Sequence, residues 1–394
     1  MDHDILIIGK GLIGSATAKH LSLTQKNVAI IGPDEPEDVD RAIVFASHYD
    51  SGRVQRLIGR NDAMTKLNLL AVHHYPWLEK ESGIPFHTGT GSLYVNPRGS
   101  DEYLNTAPEK ARQFGVAATF YPTHESLSAG FPEFVFPKTA QGLYEFAPAG
   151  HINPLRLIEA QLKVFQKNGG SVFRDTVSGI TFSSSRATVT THEGNTFHAR
   201  KIILAAGAFS NFSHLLDRRL DLTIKSETVI LARVSPEEAA RLATIPSLLY
   251  EIDTPEIEGI YSIQPIQYPD GHYYLKVGCN LGEDIYFEGD LLEVQRWFRN
   301  GDSNHHIGKM LQALQTIMPN LKIESCTSKR CLLPRTKKHE NPYIGKVHDH
   351  LYITTGNGSS AMCSDGVGKL MANLVVEGYL PKGFEKKEYE VVLG

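Results

Sequence analysis

What most constrains this chain is the passage from a wholly apolar run, Ile5-Leu6-Ile7-Ile8, directly into Gly9-Lys10-Gly11-Leu12-Ile13-Gly14. Four consecutive apolar residues suit a strand buried on both faces, as in a parallel sheet. Ser15, Ala16, Thr17, Ala18 and Leu21 continue with small and apolar residues at helical spacing. After a turn near Gln25-Lys26-Asn27, Val28-Ala29-Ile30-Ile31 reads as a second strand. Strand, glycine turn, helix and strand in this order make a Rossmann βαβ unit, in which each glycine has its own task. Gly9 permits the tight turn, Gly11 lets backbone approach a pyrophosphate, and Gly14 lets the helix pack on the strand. The N–H groups at the helix start, those of Leu12 and Ile13 among them, have no partner within the helix and face the phosphates. An acid usually ends the second strand and holds the ribose hydroxyls. Here Gly32-Pro33 stand in its place, which leaves Asp34, Glu35 or a backbone group for that contact. The prediction is a dinucleotide at the N-terminus with an unusual ribose contact, and the missing acid weakens a simple NAD reading.

At 394 residues the chain exceeds what one hydrophobic core usually serves, so two domains or an interleaved pair are expected. A formal net charge of -4 and the lack of any long Lys/Arg run give no reason to expect nucleic acid. Met1-Asp2-His3-Asp4 lacks the basic start of a signal peptide, and no apolar run approaches bilayer length. A cytoplasmic protein without membrane contact is the expectation. Cys279, Cys326, Cys331 and Cys363 form no CxxC pair, and no His/Cys cluster has zinc spacing. The adjacent pairs His73-His74 and His305-His306 read as ordinary surface or partly buried residues, so no metal is expected.

Four later segments point one way. The first is Ser47-His48-Tyr49-Asp50-Ser51-Gly52-Arg53-Val54-Gln55-Arg56. The second, Ala149-Gly150-His151-Ile152-Asn153-Pro154, leads into an amphipathic helix with Leu155, Leu157, Ile158 and Leu162. The third is Lys201-Ile202-Ile203-Leu204-Ala205-Ala206-Gly207-Ala208-Phe209-Ser210. The fourth is Leu351-Tyr352-Ile353-Thr354-Thr355-Gly356, continuing to Ser364-Asp365-Gly366-Val367-Gly368-Lys369. With the N-terminal loop, and in this order, they resemble the D-amino-acid-oxidase-like flavoprotein family, within it the monomeric sarcosine oxidases and related secondary-amine oxidases. The resemblance spans nearly the whole chain and is most specific over residues 1–56 and from Arg330 to Lys369.

The resemblance implies FAD and a fold of class α/β plus α+β. A Rossmann-like FAD-binding domain, residues 1–85, 145–215 and 325–394, interleaves with a mainly antiparallel-sheet substrate domain, residues 86–144 and 216–324. Thr228-Val229-Ile230-Leu231 and Tyr273-Tyr274-Leu275-Lys276-Val277 are strand-like and suit the second domain. By the same resemblance Ser51, Arg53, Val177, Ala206 and Gly207 lie beside the FAD. Gly366-Val367-Gly368, with Lys369 after them, close over the flavin and offer backbone N–H groups to the reduced ring. Helix packing is the plainer reading of these two glycines.

Three side chains carry the expected chemistry. Lys276 stands in an otherwise apolar strand, so its ammonium is directed into a cavity or paired; an edge lysine facing solvent is the alternative. The resemblance places it over the flavin, where a fixed positive charge assists oxygen reduction. Arg56 corresponds to an arginine that holds the substrate carboxylate, a task its planar fork suits; surface arginines are the alternative for Arg56 and Arg53. Cys331, in Lys329-Arg330-Cys331-Leu332-Leu333-Pro334, corresponds to the cysteine that forms a thioether to the flavin. Two adjacent cations would lower its thiol pKa, while a buried inert cysteine is equally ordinary.

Two departures stand out. The sarcosine-type enzymes carry a second cation, a lysine, before the flavin-closing turn. Here Gly358-Ser359-Ser360-Ala361-Met362-Cys363 is uncharged and shorter by about one residue. Leu333 replaces an aromatic residue. The carboxylate clamp is thus weaker or the substrate differs in shape, and Tyr261 or Tyr49 could supply a replacement hydrogen bond. The expected function is FAD-dependent oxidation of a C–N bond in a small amine or amino acid, with hydride to flavin N5, imine hydrolysis and oxygen reduced to hydrogen peroxide. A dehydrogenase using a quinone or protein acceptor, a non-catalytic flavin-binding subunit and an NAD-linked reductase are the alternatives. The expected partners are the amine and molecular oxygen, in a monomer or small homo-oligomer.

Overall fold

The computed structural model describes residues 1–212, 215–301 and 303–394. The apolar run Ile5 to Ile8 is buried in the strand Asp2–Ile8, which pairs in parallel with Val28–Ile31 on one side and Thr196–Leu204 on the other. Parallel pairing extends to Ser171–Phe173 beyond the one and Leu351–Thr355 beyond the other. Antiparallel strands Val177–Phe182, Ala187–Thr191 and Tyr343–His348 complete a sheet that is eight-stranded among the described residues. Helices Leu12–Ser22, Asp62–Ser82, Pro154–Lys167 and Ser364–Glu377 pack against one another beside this sheet, around a core that includes Ile7, Leu21, Leu67, Phe165 and Leu370. Their starts are written locally. Asn61 and Asn153 cap two of them by accepting hydrogen bonds from Met64 N–H (2.9 Å) and Arg156 N–H (3.1 Å). Pro154 then occupies the first helical turn, where no donor is lost.

The second sheet is ten-stranded among the described residues and mainly antiparallel. Its long strand Leu222–Val234 pairs with Tyr273–Leu281 on one edge and Ser325–Thr336 on the other. Both strands expected from composition are therefore present. The order continues through Ile257–Ser262 and Ser247–Glu251, a parallel junction to Ser92–Asn96, then Gln141–Glu145 and Ala118–Tyr121. One strand falls on the other side of the expected boundary. Ser325–Thr336, assigned to the FAD-binding pieces, pairs along its whole length with Leu222–Val234 of this sheet. The first sheet resumes only at Tyr343. A small sheet of Arg53–Gln55, Gly150–Ile152 and His87–Thr88 is fastened to the larger one by Ser247 Oγ, which donates to Gly150 O (2.6 Å). Among the described residues no helix is long and apolar enough to cross a membrane.

Candidate active site

A cavity of about 640 Å³ runs between the two sheets, and the glycine loop forms part of its wall. Gly9 sits at φ +110, and a Cβ there would lie 2.3 Å from Ala205 O; a Cβ on Gly14 would lie 1.8 Å from Gly9 O. Turn and helix packing thus each exclude a side chain. Gly11 instead faces the cavity, with only the His48 ring near its missing Cβ (3.4 Å). It caps helix Leu12–Ser22 without a side-chain hydrogen bond, so the first N–H groups stay available to an anion. Leu12, Ile13, Val177, Ala206 and Gly207 line the same cavity, whereas Gly14 lies behind the loop.

The absent ribose acid has a steric cause. A Cβ on Gly32 would lie 2.8 Å from Lys10 N and 3.0 Å from Lys10 Cβ, so Lys10 closes the place an acid would occupy. Asp34 does not replace it. One of its carboxylate oxygens bonds Lys10 and the other Arg174 Nε (2.7 Å), and it stands outside the cavity wall. Partial burial works against ionisation, yet these two cations hold its carboxyl below the ordinary range. The ribose contact expected of Asp34 is corrected accordingly; Gly32 and Pro33 are the residues at the wall.

One face of the second sheet forms the opposite wall. Cys331, Glu227, Asn280, Gly259 and Glu251 stand in one row across five neighbouring strands, and all five line the cavity. Lys276 projects from the same strand as Asn280 with the same parity, so it shares that face, but residues 50–53 cover it. Its ammonium donates to Gly52 O (2.8 Å) and pairs with Asp50, with only 2% of the side chain exposed. The solvent-facing alternative fails, and Lys276 lies behind the cavity wall rather than in it. Burial, and then Arg53, lower its pKa to about 8. Burial opposes ionisation of Asp50, but Lys276 and Arg53 bring its carboxyl down to about 2. Asp50 also accepts from Arg53 Nη1 (2.6 Å), Tyr268 OH (2.8 Å) and Ser51 N–H (2.8 Å). Arg53 lines the cavity; Ser51 does not, and serves the turn around Asp50.

The Cys331 thiol lines the cavity as expected, with a correction to its electrostatics. Burial pushes it up to about 11, and the cation opposing that most is Arg53, with Lys276 behind it. The adjacent Arg330 donates to Trp297 O (2.9 Å) and Phe298 O (2.7 Å) instead. Arg56 is buried, lines the cavity and keeps an Nε without a hydrogen-bond partner. Its guanidinium carbon lies 5.4 Å from the Tyr103 ring centre, near buried Glu145, which accepts from Leu57 N–H (2.6 Å) and Ile58 N–H (3.1 Å). The wall at 357–362 carries no charge, as its sequence requires, and Leu333 faces the same space. Tyr49 and Tyr261 both line the cavity; their hydroxyls donate to Asp34 O (3.1 Å) and Glu227 Oε1 (3.1 Å).

The flavin-closing assignment of Gly366, Val367, Gly368 and Lys369 is corrected. All four lie inside helix Ser364–Glu377 and none lines the cavity; Lys369 is exposed. A Cβ on Gly366 would lie 2.7 Å from Leu67 O, and one on Gly368 2.5 Å from Ala16 Cβ. Helix packing is their task, and the cavity wall is the preceding segment, up to Met362. His20 and His74 gather around Asp365 at that helix start, but Lys19 already occupies the carboxylate. Sequence reading also missed Asp50, Glu227 and His48. Asp50 had a signal in its spacing to Arg53, and Glu227 in being an acid beside the apolar run 229–232. His48 had none; burial, then Arg53 and Lys10, lower its pKa to about 3.

The wall therefore fits an adenine dinucleotide: free helix-start N–H groups, an open approach at Gly11, and residues from both sheets along the remaining length. Known proteins agree. A monomeric sarcosine oxidase from Arthrobacter sp. is 22% identical over 384 residues, covering 96% of this chain and 93% of that protein. An N-methyl-L-tryptophan oxidase of Yersinia pestis is 23% identical over 211 residues, 53% of this chain and 54% of that protein. The solved structure of NikD, described as an unusual amino acid oxidase essential for nikkomycin biosynthesis, has the same fold. Its TM-score is 0.78 at 16% identity, covering 100% of this chain and 98% of that one. The family described as FAD dependent oxidoreductase, DAO, matches residues 4–374. From the N-terminal glycine loop to the last long helix, this chain belongs to the DAO family of FAD dependent oxidoreductases.

Proposed function

We propose that this protein oxidises a C–N bond in a small amine or amino acid, yields an imine that water hydrolyses, and reduces oxygen to hydrogen peroxide. The observation that carries the reading is Arg56: a buried guanidinium on the wall of the FAD cavity with an unpartnered Nε. An unpaired buried donor is costly, and a substrate carboxylate satisfies it by two charge-assisted hydrogen bonds. Bound FAD supplies the hydride acceptor and the electrons for oxygen. In this reading Gly9, Gly11, Leu12 and Ile13 hold the pyrophosphate, while Val177, Ala206 and Gly207 flank the cofactor. Cys331 is its candidate covalent anchor. Lys276, still protonated at neutral pH with a pKa of about 8, supplies fixed positive charge behind the wall. The oxidase names of the Arthrobacter and Yersinia relatives support an amine donor. Peroxide release and oxygen uptake, measured with the holoprotein over a panel of secondary and primary amino acids and amines, test it. Turnover that needs an artificial dye and consumes no oxygen identifies a dehydrogenase instead, and silence across the panel refutes amine oxidation.

A further inference from the structure

Loss of hydride from the carbon beside nitrogen needs the nitrogen lone pair free, yet aliphatic amines, like the lysine side chain near 10.4, are ammonium ions at neutral pH. A group facing the cavity that takes that proton lets the abundant ammonium form react as well as the scarce free amine. Among the described residues the acids on its wall are Glu227, Glu251, Glu258 and Glu340. Glu258 and Glu340 are exposed, and half-buried Glu251 accepts from Tyr94 OH (3.2 Å). Glu227 alone of the four is buried, at 1% exposure.

Its surroundings look built. Oε1 accepts from Tyr261 OH (3.1 Å), and to reach it the tyrosine lies flat across the strand between them. That is possible only because position 278 is glycine: a Cβ there would lie 1.9 Å from Tyr261 Cζ. Oε2 is 2.9 Å from Lys225 Nζ, which it shares with Asp284. One carboxylate oxygen is thus oriented by Tyr261 and the other by Lys225, while the residue itself lines the cavity. The groups facing Glu227 are Lys225 on its own strand, Asp284 from the loop after Tyr273–Leu281, Tyr261 from beyond the neighbouring strand, and Cys331 directly across, with Cys279 close by on the other face of the sheet.

We propose that Glu227 takes the proton from the substrate ammonium, with Tyr261 as its positioning residue; this rests on the amine-oxidation reading above. The N–H bond breaks and leaves its electron pair on nitrogen, an O–H bond forms on the Glu227 carboxylate, and nothing is oxidised or reduced in that step. Burial raises the Glu227 pKa against the pull of Lys225, which suits an acceptor working near neutral pH.

The test compares the wild-type holoprotein with Glu227→Gln and Tyr261→Phe. Glu227→Gln should slow anaerobic flavin reduction at pH 7 by about 100-fold, with the deficit shrinking as pH rises and the amine becomes free in solution. A weakly basic amine, already neutral at pH 7, should recover the wild-type rate. Tyr261→Phe removes a donor to the carboxylate, so the acid limb of the reduction rate should move to higher pH. Independently of turnover, calorimetric affinity for an amine with no hydrogen on the carbon beside nitrogen should fall at least about tenfold in Glu227→Gln. Unchanged flavin spectra in the variants show that the cofactor site is intact. A Glu227→Gln protein with wild-type affinity, rate and pH profile overturns the assignment. Wild-type flavin that no amine reduces overturns the amine reading itself, and the role of Glu227 with it.

Discussion

Asp50 and Lys276 form a buried ion pair whose halves differ in energy, and removing each should give different results. Holding Lys276 at about 8 rather than the ordinary 10.5 costs about 3 kcal/mol at neutral pH. Bringing Asp50 from 3.8 to about 2 contributes about 2 kcal/mol. Asp50→Asn forfeits that contribution and leaves Lys276 facing Arg53. Lys276 can then lose its proton at pH 7, which limits what the lost carboxylate costs it. The attraction between the two is one shared interaction, so the loss is about 2–3 kcal/mol, at the lower end of the range for breaking a buried pair. Lys276→Met ends the cost of the buried ammonium, while Asp50 keeps Arg53, Tyr268 and Ser51 N–H as donors and Gly52 O loses one. Those terms nearly cancel, so Lys276→Met should stay within about 1 kcal/mol of wild type. The pH dependence has a sign as well. A lysine lowered on folding destabilises below its folded pKa, so wild-type stability should rise from pH 8 towards 10.5. Lys276→Met should lack that rise. Urea unfolding of the holoproteins between pH 7 and 9.5 reads both effects. Equal losses in the two variants, or a rise that persists without Lys276, refute the reasoning.

Three further outcomes follow from the cavity wall. With the Cys331 thiol near 11, its thiolate fraction grows about tenfold per pH unit below that value. Attachment of FAD to apoprotein should therefore accelerate from pH 7 to 9, read as yellow colour retained in the acid-precipitated pellet; a pellet still yellow in Cys331→Ser removes this residue as the anchor. Arg56→Lys should raise KM by about 10- to 100-fold for an amine that carries a carboxylate and leave one without it little changed, so an equal loss for both would deny the clamp. Gly278→Ala displaces the Tyr261 ring, whose Cζ is 1.9 Å from the new Cβ, and should cost about 1–3 kcal/mol; thermal unfolding at the wild-type temperature would contradict that packing.

Elements whose cause is local were legible in the chain. The turn at Gly9 and the helix start at Asn153-Pro154 depend on backbone sterics and caps within a few residues, and both stand where they were expected. Gly366 and Gly368 were ambiguous for a physical reason. A glycine that frees an N–H for a ligand and one that lets two helices touch have the same composition, and only Leu67 and Ala16 on other helices decide between them. Asp34 stood at the right distance along the chain for a ribose contact, but Lys10 and Arg174 occupy both its oxygens. Lys276 could be read as buried, yet its partner Asp50 lies on a remote loop that no periodicity connects to it.

The row Cys331, Glu227, Asn280, Gly259 and Glu251 shows where reading along a chain ends. Alternation tells that each residue faces one side of its own strand, but a slip of one residue in pairing would turn any of them away. Register across five strands is set by the apolar residues that must be buried between them, Ile230, Leu248 and Val277 among others. That register presents Lys276 to the loop carrying Asp50 and Arg53, and Glu227 and Lys225 to the loop carrying Asp284, so that two buried charge groups form. Arg53, Lys276 and Asp50 carry one excess positive charge, and Lys225, Glu227 and Asp284 one excess negative charge. Neither is favourable alone in a dry interior. Both lie close to Cys331 and Tyr261, where each excess charge has the other as its counterpart. The chemistry of this wall is therefore a property of strand pairing more than of any motif.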